Sequence, residues 1–321
     1  MLVNAVSMNH AGADRDSWLI ADIGATSSRC ATLFPTETGP DNVRIFRNDD
    51  HAGLTDLLRH FLSDCGEKPR SLALAVAAPV HGDEVQLMNR DWSFSGSSLS
   101  NELGFRHVTM INDFHAIAYA LPTLDDETRV EVGSSTEYRD DNMAALGPGS
   151  GLGMSAWIKN RCGGAAMTGE GGHITVSGRN KQEDEIIAEV RNHFGHCSAE
   201  RILSGPGLMI LHKVMHGIEM NSSEEITGNA QDETCMATMN QFFSFLGSAA
   251  ADLALITGAF GGVYIAGGIV PACIDQLHES PFRKRFEDKN RYREYMQRIP
   301  TYVITDPVPG LTGLAAMINQ E

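Results

Sequence analysis

Five short stretches combine side chains that can do chemistry with residues that let a ligand come close. The first is Asp22-Ile-Gly24-Ala-Thr26. A carboxylate leaving a strand into a tight turn can hold a hydrated Mg2+, Gly24 lets backbone approach phosphate, and Thr26 offers a hydroxyl. An ordinary hairpin turn uses the same residue types. The second, Gly147-Pro-Gly149-Ser150-Gly151-Leu-Gly153, sets four glycines in seven residues between two apolar runs. That is more than a hairpin needs, and the exposed N–H groups can form an anion nest. The third ends a buried run at Gly267-Gly268; it offers either a flat backbone for adenine and ribose or close packing of strand on helix. The fourth, Thr168-Gly-Glu170-Gly-Gly-His173, is an irregular loop that can aim Glu170 and His173 at one polyhydroxyl ligand. A third metal ligand at suitable spacing is missing there. The fifth is Asp113. Phosphoryl transfer to an alcohol needs positioning, charge neutralisation and a carboxylate to take the hydroxyl proton. An Asp after a strand serves equally well as a helix N-cap.

These residues need strands to carry them. Trp18–Asp22 and Cys30–Phe34 read as two strands about a glycine turn, and Ser71–Val80 as a strand buried on both faces. Val108–Ile111 is a strand that delivers Asn112 and Asp113 at its carboxyl end, where open α/β sheets place ligands. Apolar residues at Leu54, Leu57, Leu58, Phe61 and Leu62 give a helical stripe. Phe114–Leu121 reads as helix up to Pro122, and residues 125–142 as a solvated acidic connection. Met143–Leu146 and Met154–Ile158 repeat the strand–turn–strand order. Ser198–Leu203 opens a helix with Ser198 as N-cap, 217–234 is a polar surface excursion, and Phe242–Ile256 is a long helix. Val263–Ala266 and Tyr302–Thr305 are strands, Phe282–Arg298 an exposed helix and Gly310–Ile318 a closing helix. The order predicts two α/β lobes with a cleft between them.

Composition removes several function classes. A net charge of −16 over 321 residues argues against nucleic acid, whose phosphate backbone needs a basic surface. It leaves nucleotides open, because backbone N–H groups and Mg2+ hold phosphate within acidic proteins. Six cysteines lie far apart with no Cys-x-x-Cys pair, as expected of reduced cytosolic thiols. The first 17 residues lack the apolar core of a secretory signal. Leu246–Val270 is long enough to span a bilayer, but six glycines and Asp252 break it, so no membrane span is expected. No Gly-Lys-Ser/Thr phosphate loop occurs, which argues against a P-loop kinase.

Longer strings narrow the reading. Leu103-Gly-Phe followed by Ile111-Asn-Asp-Phe, Gly169-Glu-Gly-Gly-His, Ser198-Ala-Glu-Arg-Ile-Leu-Ser-Gly-Pro-Gly, Phe260-Gly-Gly-Val-Tyr-Ile-Ala-Gly-Gly-Ile-Val-Pro and Phe286-Glu-Asp-Lys resemble the bacterial-type glucokinases of the actin-like sugar kinase superfamily, over about Leu19 to Leu314. The resemblance implies a two-lobed actin-like (ribonuclease H-like) α/β fold, with a small domain of 1–122 plus 307–321 and a large domain of 123–306. It implies a cytoplasmic, homodimeric enzyme that uses ATP and Mg2+ to convert D-glucose to glucose 6-phosphate, the first step of glycolysis. The lobes would close over glucose and exclude water. Asp113 matches the family's general base. Asn112, Glu170, His173 and Glu200 match its glucose ligands. Asp22, Gly24 and Thr26 match the first phosphate loop, with Asp22 toward the metal, Gly149, Ser150 and Gly151 the second, and Gly267 and Gly268 the adenosine motif. Two departures stand out. The family's Gly-Gly-Thr-Asn is here Gly24-Ala25-Thr26-Ser27, and Ser150 replaces a common Thr. Ala25 adds a methyl where backbone can require glycine. Two alternatives remain: a kinase for fructose, mannose or glucosamine, and a sugar-sensing regulator with little turnover.

Overall fold

The computed structural model describes residues 17–34, 39–66, 68–87, 90–135 and 139–320. The N-terminal stretch read as lacking a secretory core lies, up to residue 16, outside the described residues, as do residues 136–138 of the acidic connection. The chain divides into two compact units. One comprises the described residues up to Asn112 together with 318–320, and the other Asp113–Met317.

The first unit is built on β1 (Trp18–Ile23), β2 (Ser27–Leu33), β3 (Asp41–Arg47), β4 (Ser71–Val76) and β7 (His107–Asn112), with a small ribbon of β5 (Glu84–Gln86) and β6 (Ser93–Ser95). The main sheet runs β3-β2-β1-β4-β7. β1 to β3 are antiparallel, whereas β4 and β7 run parallel to β1. Every residue of β4 is buried, as its unbroken apolar run requires. α1 (Leu54–Cys65) lays Leu54, Leu57, Leu58 and Phe61 into the core. α2 (Gly96–Leu103) starts at a capping box in which Ser95 Oγ accepts from the Ser98 N–H at 3.1 Å.

The second unit opens with α3 (Asp113–Ala120). Its strands are β8 (Arg129–Glu131), β9 (Met143–Pro148), β10 (Leu152–Asn160), β11 (Gly163–Gly169), β12 (Gly262–Ile265) and β13 (Thr301–Ile304). They order as β11-β10-β9-β12-β13-β8, with β12 parallel to β9 and β13. The helices are α4 (Lys181–Phe194), α5 (Gly205–His216), α6 (Ser223–Thr227), α7 (Glu233–Thr257), α8 (Ile274–Glu279), α9 (Phe282–Glu287), α10 (Arg293–Gln297) and α11 (Pro309–Gln320). α7 buries Phe242, Phe243, Phe245 and Leu246, and Asp232 caps it by accepting from the N–H groups of Thr234 and Cys235. No described helix is long and apolar enough to cross a membrane. Within this unit α3 packs on β9, β10 and β11.

Three local expectations need correction. Residues 198–203 form a turn rather than the start of a helix. Ser198 pairs with Thr175 in an antiparallel bridge, and the helix begins at Gly205, capped by Ser204 Oγ, which accepts from the Gly207 N–H at 3.1 Å. The Phe282–Arg298 segment is helical as read, in α9, a 3-10 turn at Asn290–Tyr292 and α10, but it is not all exposed: Phe282, Phe286 and Met296 are fully buried. The connection at 125–142 contains β8, which closes the edge of the sheet against β13.

Candidate active site

β7 delivers Asn112 at its last position and α3 takes Asp113 as its first residue. Asn112 Nδ2 donates to the Ala78 carbonyl at 3.3 Å. Asp113 Oδ1 accepts from the Phe114 N–H at 2.9 Å, so the carboxylate sits in the positive first turn of a helix, where negative charge is stabilised. The next residue fixes its position. A Cβ on Gly147 would lie 2.5 Å from Phe114 Cζ, and one on Gly153 would fall inside the same ring. Phe114 therefore seats α3 on the β9–β10 hairpin through a flat patch that only two glycines provide.

The hairpin turn is Gly149-Ser150-Gly151, closed by a Gly149 N–H donating to the Gly151 carbonyl at 2.9 Å. Of the four glycines read as one phosphate nest, Gly147 and Gly153 instead lie in the paired strands and make room for Phe114. Gly267 crosses beside the hairpin at φ +85°, and a Cβ there would strike the Pro148 carbonyl. This position needs both glycine's positive φ and its bare Cα. Gly267 and Gly268 are exposed, and nothing lies within 4 Å of a Cβ built on Gly268. The result is an open backbone surface next to the hairpin turn.

Two further segments meet the hairpin. Gly171–His173 forms a short 3-10 turn after β11, with Glu170 and His173 exposed. The Glu200 N–H donates to the Gly172 carbonyl and the Ala199 N–H to the Ile174 carbonyl, each at 2.9 Å. The Glu200 carboxylate accepts from the Leu152 N–H at 2.9 Å. The second unit thus gathers Asp113, Glu170, His173, Glu200, the hairpin turn and Gly267 about one end of β9, β10 and β12.

The first phosphate-loop candidate lies in the other unit. Asp22 faces Arg29 across β1–β2, with Arg29 Nη1 3.6 Å from Asp22 Oδ2. Burial raises the Asp22 pKa, and Arg29 pulls it back down. Thr26 is exposed at the turn. Ala25 is not among the described residues with positive φ, so its methyl imposes no left-handed strain. Among the described residues no group of three or more His, Cys, Asp or Glu forms a metal site. The Asp22 carboxylate is the kind of oxygen donor that Mg2+ takes, one or two carboxylates being completed by water and phosphate oxygens.

A family model described as Glucokinase matches residues 19–321. The chain belongs to the glucokinase family. It is 42% identical to a glucokinase of Aromatoleum aromaticum over 94% of each chain. It is 37% identical to a glucokinase of Photorhabdus laumondii, covering 94% of this chain and 97% of that one. A glucokinase crystal structure from an Antarctic psychrotroph superposes with a TM-score of 0.84 at 34% identity, covering 95% of this chain and 99% of that one. The likeness shows the sugar-kinase α/β fold that the sequence strings imply.

Two residues of this glucokinase-family chain escaped the sequence reading. Asn48 is fully buried; its Nδ2 donates to the carbonyls of Gly24 at 2.8 Å and Ala25 at 3.3 Å, and its N–H donates to Thr26 O at 3.0 Å. It lies in the polar run Arg47-Asn-Asp-Asp, which looks like solvated surface, and only the fold brings it to the loop. Phe114 reads only as the start of a helix and the end of the Ile111-Asn-Asp-Phe string. Its signal was the pairing of an aromatic after Asp113 with the surplus glycines at 147 and 153.

Proposed function

We propose that the chain transfers the γ-phosphoryl group of ATP to the 6-hydroxyl of D-glucose, giving glucose 6-phosphate as the first step of glycolysis, with Asp113 as general base. The observation that carries this reading is the seating of Asp113, through Phe114, on the same hairpin that Glu200 and Gly267 contact. A carboxylate, three polar side chains suited to hydroxyls and a bare-backbone turn then share one rigid frame. Glu170, His173 and Glu200, with Asn112 at the end of β7, hold the sugar hydroxyls. The 6-hydroxyl gives its proton to Asp113 as its oxygen attacks. The turn closed by Gly149 presents the Ser150 and Gly151 N–H groups and the Ser150 hydroxyl to phosphate, the Gly24 turn presents the Thr26 hydroxyl in the first unit, and Gly267 with Gly268 carries the adenosine. Asp22 would hold Mg2+, which would supply positive charge to the phosphates. The enzyme works in the cytoplasm as a homodimer.

A coupled assay over a panel of hexoses tests the substrate: glucose should be turned over best, ahead of fructose, mannose and glucosamine. Asp113→Asn should cut kcat by about 10²–10⁴-fold, the usual cost of losing a general base. Near-normal turnover in that variant would remove Asp113 from the chemistry. Glu170→Gln should mainly raise the KM for glucose, since a charged hydrogen bond to a hydroxyl is worth about 1.5–3 kcal/mol. An unchanged glucose KM would take Glu170 out of the sugar site.

A further inference from the structure

The turn 200–205 lies across the phosphate hairpin and touches both of its sides. On one side, Glu200 Oε2 accepts from the Leu152 N–H at 2.9 Å, at the first residue of β10. On the other, the Gly205 N–H donates to the Gly149 carbonyl at 2.8 Å. Ser204 Oγ joins the two ends of this clip by donating to the Glu200 carbonyl at 2.7 Å and accepting from the Gly207 N–H. Gly151 completes the fit. A Cβ at that position would lie 2.5 Å from Glu200 Oε2, closer than atoms tolerate, so the glycine leaves the carboxylate its place. Glu200 Oε1 makes no hydrogen bond to any described residue.

We infer that Glu200 is a positioning residue for the nucleotide-phosphate hairpin as well as a sugar contact: Oε2 fixes the Leu152 N–H and the turn before it, while Oε1 faces the sugar. The inference rests on the proposed kinase reading for the identity of both ligands. Its consequence separates Glu200 from a residue that touches sugar alone. Removing its carboxylate leaves the Leu152 N–H without its charged acceptor and frees the turn that must present Gly149–Gly151 to phosphate. Nucleotide affinity then falls even when no sugar is present.

The test is equilibrium binding of a non-hydrolysable ATP analogue with magnesium, in the absence of sugar, by calorimetry. Glu200→Ala should weaken binding about tenfold or more, as befits the loss of a charge-assisted hydrogen bond. Gly151→Ala, which keeps the carboxylate but displaces it, should weaken it in the same direction. Glu200→Gln retains an acceptor oxygen for Leu152 and should restore most of the nucleotide affinity, while its KM for glucose stays raised. His173→Ala, a change to a candidate sugar contact that makes no hairpin bond, should leave sugar-free nucleotide affinity unaltered. Wild-type affinity in Glu200→Ala would overturn the inference, as would equal losses in Glu200→Ala and His173→Ala. A wild-type protein that binds the analogue but phosphorylates no hexose would instead overturn the kinase reading and leave the Glu200 result to be read by itself.

Discussion

The two glycine turns assigned to phosphate are held in opposite ways. The Gly24–Thr26 turn hangs on polar side chains, chiefly the buried Asn48, with Arg90 Nε donating to the Ala25 carbonyl at 3.3 Å. Asn48 donates to two of its carbonyls and, through its own N–H, to a third, while Ser28 Oγ donates to Asn48 Oδ1 at 2.8 Å. The Gly149–Gly151 turn is held from several directions: the Phe114 ring against its strands, the Glu200 carboxylate on Leu152, the Gly205 N–H on Gly149, and Gly267 packed on Pro148. Two polar side chains carry the first turn, Asn48 taking the larger share, whereas packing and distributed hydrogen bonds carry the second. The difference matters because a buried carbonyl without its donor costs free energy at once, whereas a turn with several supports keeps the rest when one goes.

The largest effect should therefore come from Asn48→Ala. It leaves the partly buried Gly24 carbonyl without its side-chain donor, at a cost of up to about 3 kcal/mol, removes one of two side-chain donors to Ala25, and loosens the turn. Denaturant unfolding should show the lost stability, and ATP KM should rise about tenfold or more by the same reckoning. If the variant bound ATP normally, the contrast between the turns would be wrong. Phe114→Ala should come next. It removes the ring between α3 and the hairpin, and displacement of a catalytic group by about 1 Å can cost as much as 10²-fold. The expected outcome is a fall in kcat on the order of 10- to 10²-fold, with ATP KM changed far less because the other supports of the second turn remain. A rise in ATP KM matching the fall in kcat would show that Phe114 holds the nucleotide turn rather than Asp113.

This contrast also marks what was legible in the sequence. Strands show as apolar runs bounded by glycine, so β1, β2, β4, β7, β9, β10, β12 and β13 were readable, as were the glycine turns between them. β3 was not, because its residues are mostly exposed and its pattern Asp-Asn-Val-Arg-Ile-Phe-Arg carries no clean run. The true start of α5 was hidden by Ser198, a good cap residue by type whose backbone goes instead to pairing with Thr175. Supports that act across long sequence separations, such as Asn48 on Gly24 or Glu200 on Leu152, leave no local signature. Glu200 was found only through its family string.

A smaller, pH-dependent effect should fall on the second unit. α5 begins at the residue that holds Gly149, and His212 anchors it to α7 through Nδ1 and Thr238 Oγ1 at 2.9 Å. Burial chiefly, and then the neighbouring His216, lowers the His212 pKa from 6.5, with Asp232 opposing. The folded state thus binds fewer protons at this site than the unfolded state just below pH 6.5. Its contribution to stability is full above that pH and is lost as pH falls through the folded pKa. The melting temperature should drop on acidification, and His212→Gln should flatten that part of the profile. An identical acid limb in the variant would assign the drop elsewhere.

The smallest expected effect tests the first turn where the sequence looked weakest. Ala25 stands where the family usually has glycine, and a glycine-only conformation there would have argued for a sugar sensor with poor turnover. Its backbone is outside the left-handed region, so the methyl meets no strain, and the turn is held by Asn48 and Arg90 instead. Ala25→Gly should then leave ATP KM within about twofold and lower stability by about 0.4–1 kcal/mol, through the extra freedom glycine gives the unfolded chain. Thermal unfolding and steady-state kinetics on the same preparation would read both. A large gain in ATP affinity would mean that the alanine does hold the turn away from phosphate, and the difference between the two turns would then be one of competence as well as of support.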